Sequence, residues 1–189
     1  MGKLEDRQTA AGGSSGSVAA QLSTLAGSMP PLDPAIAQGF AGACFCGRIS
    51  YAVQGVPLFA YLCHCTDCRR INGTAFHTGI VARADDLSLR GQEPGSFACM
   101  ADSGNSISRF HCNHCGSQLY SQTMAEPAIV SLKAGSVTSA PQDLIRPVLQ
   151  IFFRSRVPWV PAPVDILTYA TGMRGQTPIH PSAEGPAEV

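Results

Sequence analysis

Cys63-His64-Cys65-Thr66-Asp67-Cys68-Arg69-Arg70 places three cysteines within six residues, spaced C-x-C-x-x-C. Two pairs flank it, Cys44/Cys46 upstream and Cys112/Cys115 downstream, so seven of the eight cysteines are clustered. The segment Met1 to Thr9 carries Lys3, Glu5, Asp6 and Arg7, and no apolar leader follows it. The sequence therefore reads as cytoplasmic, where locally clustered thiols point to metal ligation rather than disulfides.

Zinc is bound by thiolates at about 2.3 Å, and a structural site closes with four of them. The outer pairs supply that number. Cys112-Asn113-His114-Cys115-Gly116 is a knuckle that grips one metal across a tight turn. Cys44 and Cys46, at i and i+2 on a bent strand, reach the same metal, and Gly47 and Gly116 suit the turns. His111 and His114 read as solvent-facing or supporting groups, since four sulfurs already fill the shell.

The middle triplet is then a second zinc site with three protein ligands, Cys63, Cys65 and Cys68, and a three-ligand site is a candidate for catalysis. Cys99 is the remaining cysteine; if it joined the three, the site would close and become structural. His64 is another possible fourth ligand, but in an extended segment it faces away from Cys63 and Cys65. Three thiolates on a dication leave one net negative charge. Such a metal is a weak Lewis acid that prefers a further sulfur, so a thiol substrate or a small carbonyl is the expected partner. Arg69 and Arg70 are candidates for stabilising that charge or holding a substrate carboxylate, with solvated surface arginines as the alternative. Asp67, His64 and His77 are candidate proton carriers that no spacing distinguishes.

Around these clusters the signals are mostly β. Strands are expected at 48–53, in 56–62, at 75–81 and at 87–89. A hairpin is expected from 97–100 and 106–110 around Gly104-Asn105, with further strands at 118–121, 128–133 and 148–154. Helix is expected only as a turn after Cys65 and as a short segment within the N-terminal arm, at Val18 to Leu25. The fold class is all-β, in small antiparallel sheets. Residues 1–39, with Ala/Gly/Ser and Pro-rich stretches, read as a flexible arm; residues 40–172 form the zinc-binding domain, and 173–189 a flexible tail. Formal net charge is zero, which argues against nucleic acid as a partner. No apolar run approaches the ~20 residues of a membrane span.

Four stretches carry a resemblance to a known family. They are Gly42-Ala43-Cys44-Phe45-Cys46-Gly47-Arg48-Ile49-Ser50-Tyr51; Cys63 to Arg70 with Gly73-Thr74-Ala75-Phe76; Arg109-Phe110-His111-Cys112-Asn113-His114-Cys115-Gly116-Ser117; and Arg154-Ser155-Arg156-Val157-Pro158-Trp159. Together they closely resemble the glutathione-dependent formaldehyde-activating enzymes, a family that also contains centromere protein V. The resemblance spans about residues 40–168. It implies the β-tent fold and two zinc ions per chain, a structural one on Cys44, Cys46, Cys112 and Cys115 and a catalytic one on Cys63, Cys65 and Cys68. The activity it implies is the carbon–sulfur lyase reaction, in reverse the condensation of formaldehyde with glutathione to S-(hydroxymethyl)glutathione. Many members have no established substrate, so an imine or similar electrophile is an alternative, and a non-enzymatic zinc module is a second. Arg109, Arg154 and Arg156 join Arg69 and Arg70 as candidates for gripping glutathione-type carboxylates. The resemblance assigns no role to the N-terminal arm or to Cys99.

Overall fold

The computed structural model describes residues 39–101, 104–139, 145–173 and 176–180. The arm expected over residues 1–39, with its short helix, lies almost wholly outside them.

Two sheets make the domain. In the smaller, β1 (Phe40–Ala43), β2 (Ile49–Val53) and β5 (Leu87–Gly91) pair antiparallel in the order β1-β2-β5. The larger uses β3 (Phe59–Cys63), β4 (His77–Arg83), β6 (Gly95–Met100), β7 (Ser106–His111), β8 (Gln118–Thr123), β9 (Ile129–Lys133), β10 (Leu149–Ile151) and β11 (Leu167–Thr168). Its order is β11-β10-β3-β4-β9-β8-β7-β6. The expected strands and the hairpin around Gly104-Asn105 all form. Two pairings are parallel, β10 with β3 and β10 with β11. The first joins segments far apart in sequence, which local pattern does not register. The strand expected over 148–154 stops at Ile151 because Phe152 takes a left-handed conformation (φ 55°) and a 3-10 turn follows at Phe153–Ser155. One helix, α1 (Thr66–Asn72), follows Cys65 as expected.

Side chains alternate across a sheet, and directly paired residues share a face. Ala60, Ile80 and Leu132 align through the register and, with Ala82, Val130 and Leu119, meet Ile49, Tyr51 and Val53 of the small sheet in the main core. The other phase of the same strands carries Phe59, Tyr61, Cys63, His77, Gly79, Val81, Ser131 and Lys133. Phe59 and Val81 join Leu149 and Tyr169 in a second cluster, with Tyr61, Ile151 and Met173 packed against it. Ile179, in the stretch read as a tail, bridges Thr168 through a 2.7 Å backbone hydrogen bond, so the chain still touches the fold there.

Gly79 is where this second face is most crowded. A Cβ there would lie 2.5 Å from Tyr61 Cε1 and 2.8 Å from Ser131 Oγ, two side chains already hydrogen-bonded to each other at 2.8 Å. Gly79→Ala is expected to lose about 1–3 kcal/mol, the usual effect of overpacking, in a urea titration. A loss below about 0.5 kcal/mol, the range of neutral surface changes, would show that Tyr61 is not fixed against β4.

Candidate metal centres and cleft

The sulfurs of Cys44, Cys46, Cys112 and Cys115 lie within 4.8 Å of one another. Cys44 and Cys46 are 3.5 Å apart, and Cys46 and Cys112 3.8 Å. These separations suit four thiolates around one tetrahedral cation, which need roughly 3.8 Å. Cys44 and Cys46 sit in the turn after β1, not on a strand. The hydrogen bond from Gly47 N to Cys44 O closes that turn, and the one from Gly116 N to Cys112 O closes its counterpart. Both glycines have φ of 74°, as knuckles require. The Ser117 hydroxyl joins the two turns, accepting from Phe45 N at 3.0 Å and contacting the Cys115 sulfur at 3.3 Å.

Cys63, Cys65 and Cys68 form a separate cluster, also within 4.8 Å. Cys63 ends β3. Cys65 is the N-cap of α1, its sulfur accepting from Cys68 N at 3.3 Å, and Cys68 rides on the helix. Hydrogen bonds from Cys63 and Cys65 pull the Cys68 thiol far below its ordinary value, whereas those with Cys65 and Cys68 push Cys63 up. Three thiols this close cannot all ionise against one another. A bound cation removes that conflict, and so the donor set fits a metal. Cys99 belongs to neither cluster, so the three-cysteine group stays open on the protein side among the described residues.

His64 turns away from the sulfurs, as alternation predicts. Its Nε2 meets Gln150 Oε1 at 3.1 Å, and its ring packs on Phe76 and Phe153. His77 pairs with Cys63 in the register and is 4% exposed. Burial, then the nearby charge of Lys133, lowers its pKa to about 3. Lys133, 6% exposed, pairs with Gly79 on the same face. Burial brings its pKa to about 8 even though Cys68, Cys63 and Cys65 pull the other way. Arg109 is 2% exposed, and its Nε donates to the Cys99 sulfur at 3.5 Å. Burial works against its charge, but the hydrogen bond to Cys99 and the attraction of Cys68 outweigh it.

A cleft of about 820 Å³ borders the four-sulfur group at Cys44 and Cys115 and reaches His77 and Lys133; Cys63, Cys65 and Cys68 do not line it, although His77 pairs with Cys63 in the sheet. Phe45, Asn72, His77, Ser117, Lys133 and Ser136 are among the residues on its walls. A smaller apolar cavity of about 190 Å³ lies further along the second sheet face, lined by Phe59, Tyr61, Val81, Ser131, Leu149 and Met173 among others. Of the arginines suggested by sequence, only Arg109 is drawn into the interior. Arg69 and Arg70 stay on the outer part of α1, with Arg70 exposed, and neither lines the cleft. Arg154 is exposed, and Arg156 lies 4.8 Å over the Phe153 ring. Asp67 is partly exposed in the first turn of α1. Sequence reading missed Lys133 and Tyr61. The alternation of Ile129 to Lys133 puts Lys133 in phase with Ser131, but it does not say that both faces of β9 are covered.

No helix among the described residues is long and apolar enough to cross a membrane. No curated protein matches the chain. A solved structure of a Rhodobacter sphaeroides protein is similar at 22% identity and a TM-score of 0.44, covering 55% of this chain and 94% of that one. The family model of the glutathione-dependent formaldehyde-activating enzymes matches residues 39–155, including all seven clustered cysteines, and the chain therefore belongs to that family.

Proposed function

We propose that the protein is a zinc-dependent carbon–sulfur lyase-type enzyme of the cytoplasm that makes and breaks adducts of a small aldehyde with a thiol. Formaldehyde and glutathione, giving S-(hydroxymethyl)glutathione, are the reference pair. The observation that carries this reading is a three-sulfur cluster, incomplete as a structural site, whose Cys63 pairs with His77, a buried residue on the wall of a cleft that also holds buried Lys133. The cleft volume falls in the ~300–1,000 Å³ range of small-molecule sites.

Cys44, Cys46, Cys112 and Cys115 would hold a structural zinc, and Cys63, Cys65 and Cys68 a catalytic one. A zinc ion in the second group would supply a site for a substrate sulfur or carbonyl oxygen and stabilise charge on it. The chain's own groups do the rest. α1 and β3 fix the three sulfurs through the Cys65 cap and the end of the strand. Arg109 provides a buried positive charge beside Cys68, opposing the net negative charge of three thiolates on a dication. The cleft brings thiol and aldehyde together and limits water around them.

Metal analysis of the purified chain is expected to find close to two zinc per molecule, and calorimetry is expected to show glutathione binding. NMR exchange between glutathione and its formaldehyde adduct is expected to quicken when the protein is added. One zinc per chain would remove the second site. Two zinc without glutathione binding or faster exchange would favour addition to, or hydrolysis of, another electrophile such as an imine.

A further inference from the structure

Among the described residues, four buried side-chain polar atoms have no hydrogen-bond partner, and three of them, Gln118 Oε1, Lys133 Nζ and His77 Nε2, belong to residues that line the same cleft; the nitrogens are those of Lys133 and His77. Both residues are more than nine-tenths buried. Both project from the sheet face that bears Cys63: His77 is paired directly with Cys63, and Lys133 sits across from Gly79, two residues further along β4. Gly79 itself has no side chain, and the space over it is taken by the Tyr61 ring and the Ser131 hydroxyl. A buried ammonium without a partner is strongly unfavourable, so the Lys133 donor is placed for something that arrives later.

The charge of the site indicates what that is. Arg109, hydrogen-bonded to the Cys99 sulfur and attracted by the charge of Cys68, would match the single net negative charge of three thiolates on a dication. Lys133 is positive charge beyond that balance. It interacts with the charges of Cys63, Cys65 and Cys68 but is hydrogen-bonded to none of them. The site is therefore suited to a substrate group that is negative or becomes so.

We propose that Lys133 is a catalytic residue of the three-cysteine site, with its ammonium the donor to the oxygen of the aldehyde and of the resulting adduct, and with His77 Nε2 as a second polar contact. This rests on the aldehyde–thiol reading above. In that reaction the sulfur–carbon bond forms, the carbonyl π pair moves onto oxygen, and the proton given up by the thiol returns to that oxygen through solvent. Cleavage reverses each change. Negative charge thus develops on oxygen, where a preorganised donor in a site shielded from water has its largest effect. Glutathione alone carries no such oxygen at its sulfur, so Lys133 is expected to matter for turnover and not for thiol binding.

The test compares the full metal-loaded chain with Lys133→Met, which keeps the bulk but removes the donor, and Lys133→Gln, which keeps an uncharged N–H donor. Lys133→Met is expected to lower kcat for adduct formation about 100-fold, the lower end of what losing one oxyanion donor does, and Lys133→Gln is expected to fall between it and the parent. Glutathione affinity by calorimetry should stay within about threefold, because the lost contact belongs to the transition state and not to the bound thiol. Zinc content should be unchanged, and the melting temperature should not fall, because an unpartnered buried charge is removed.

Retention of kcat within threefold in Lys133→Met would overturn the inference. So would loss of zinc or of the fold in both variants, which would make Lys133 a counter-ion or a structural group. A parent protein that neither binds glutathione nor forms the adduct would overturn the functional reading itself, and this inference with it. That outcome differs from an active parent whose variants are unaffected.

Discussion

Cys112→Ser is expected to abolish cooperative folding, not just to lower activity. Cys112 is 1% exposed, sits in the main core with Cys44, and places its sulfur 3.8 Å from that of Cys46, 66 residues earlier in the chain. The four-sulfur group ties the turn after β1, in the small sheet, to the turn between β7 and β8, in the large one. Besides packing, the described cross-links between those turns are the hydrogen bond from Phe45 N to Ser117 and the sulfur contacts themselves. A structural zinc contributes on the order of 10 kcal/mol, comparable with the ~5–15 kcal/mol total stability of a domain. Serine is a poor substitute for a thiolate ligand, so most of that is lost. Far-UV circular dichroism should show the loss, and a strong chelator should reproduce it in the parent. A Cys112→Ser chain that unfolds cooperatively with a loss below about 2 kcal/mol, an ordinary point-mutation effect, would exclude a structural metal there.

Cys65→Ser is expected to separate function from folding. Cys65 is the N-cap of α1, its sulfur accepting from Cys68 N. Serine is among the preferred N-caps and can accept the same hydrogen bond, so α1 should keep its start and the melting temperature should fall by only a few degrees, about 1 kcal/mol in a domain of this size. The thiolate is lost, however, leaving two sulfurs to hold the second metal. Activity should drop by more than 100-fold, beyond the ~10–100-fold loss from removing a partner of a metal ligand. Zinc content should fall from about two per chain to about one. If Cys65→Ser and Cys112→Ser behave alike, whether both unfold or both stay folded and active, the division between a structural and a catalytic cluster is wrong.

The sulfur pattern was legible in the sequence because the cysteine turns are local. A C-x-x-C-Gly turn positions its two sulfurs through the conformation of five residues, and Cys65 caps α1 from three residues away. Pairing Cys44/Cys46 with Cys112/Cys115 and leaving three cysteines over then needed only counting. The strand pattern was legible for the same reason, since alternation is a property of each segment. The parallel pairing of β10 with β3 was not, because it joins Leu149 to Tyr61, segments about 90 residues apart. The end of β10 was missed as well, because Phe152 adopts a left-handed conformation that its side chain does not announce. Arg69 and Arg70 drew attention by adjacency to Cys68, yet the helix carries them along the outside.

For the triplet from Cys63 to Cys68, the sequence by itself determined the three sulfurs and their spacing, since these follow from residue identity and order. Only the tertiary structure decided what surrounds it. Arg109 comes from β7, His77 from β4 and Lys133 from β9, three strands brought to one sheet face by register. Whether a lysine is solvated or buried without a partner depends on what the rest of the chain packs over it, and no local pattern encodes that. That burial turns Lys133 from an unremarked strand residue into the group best placed to meet a substrate oxygen.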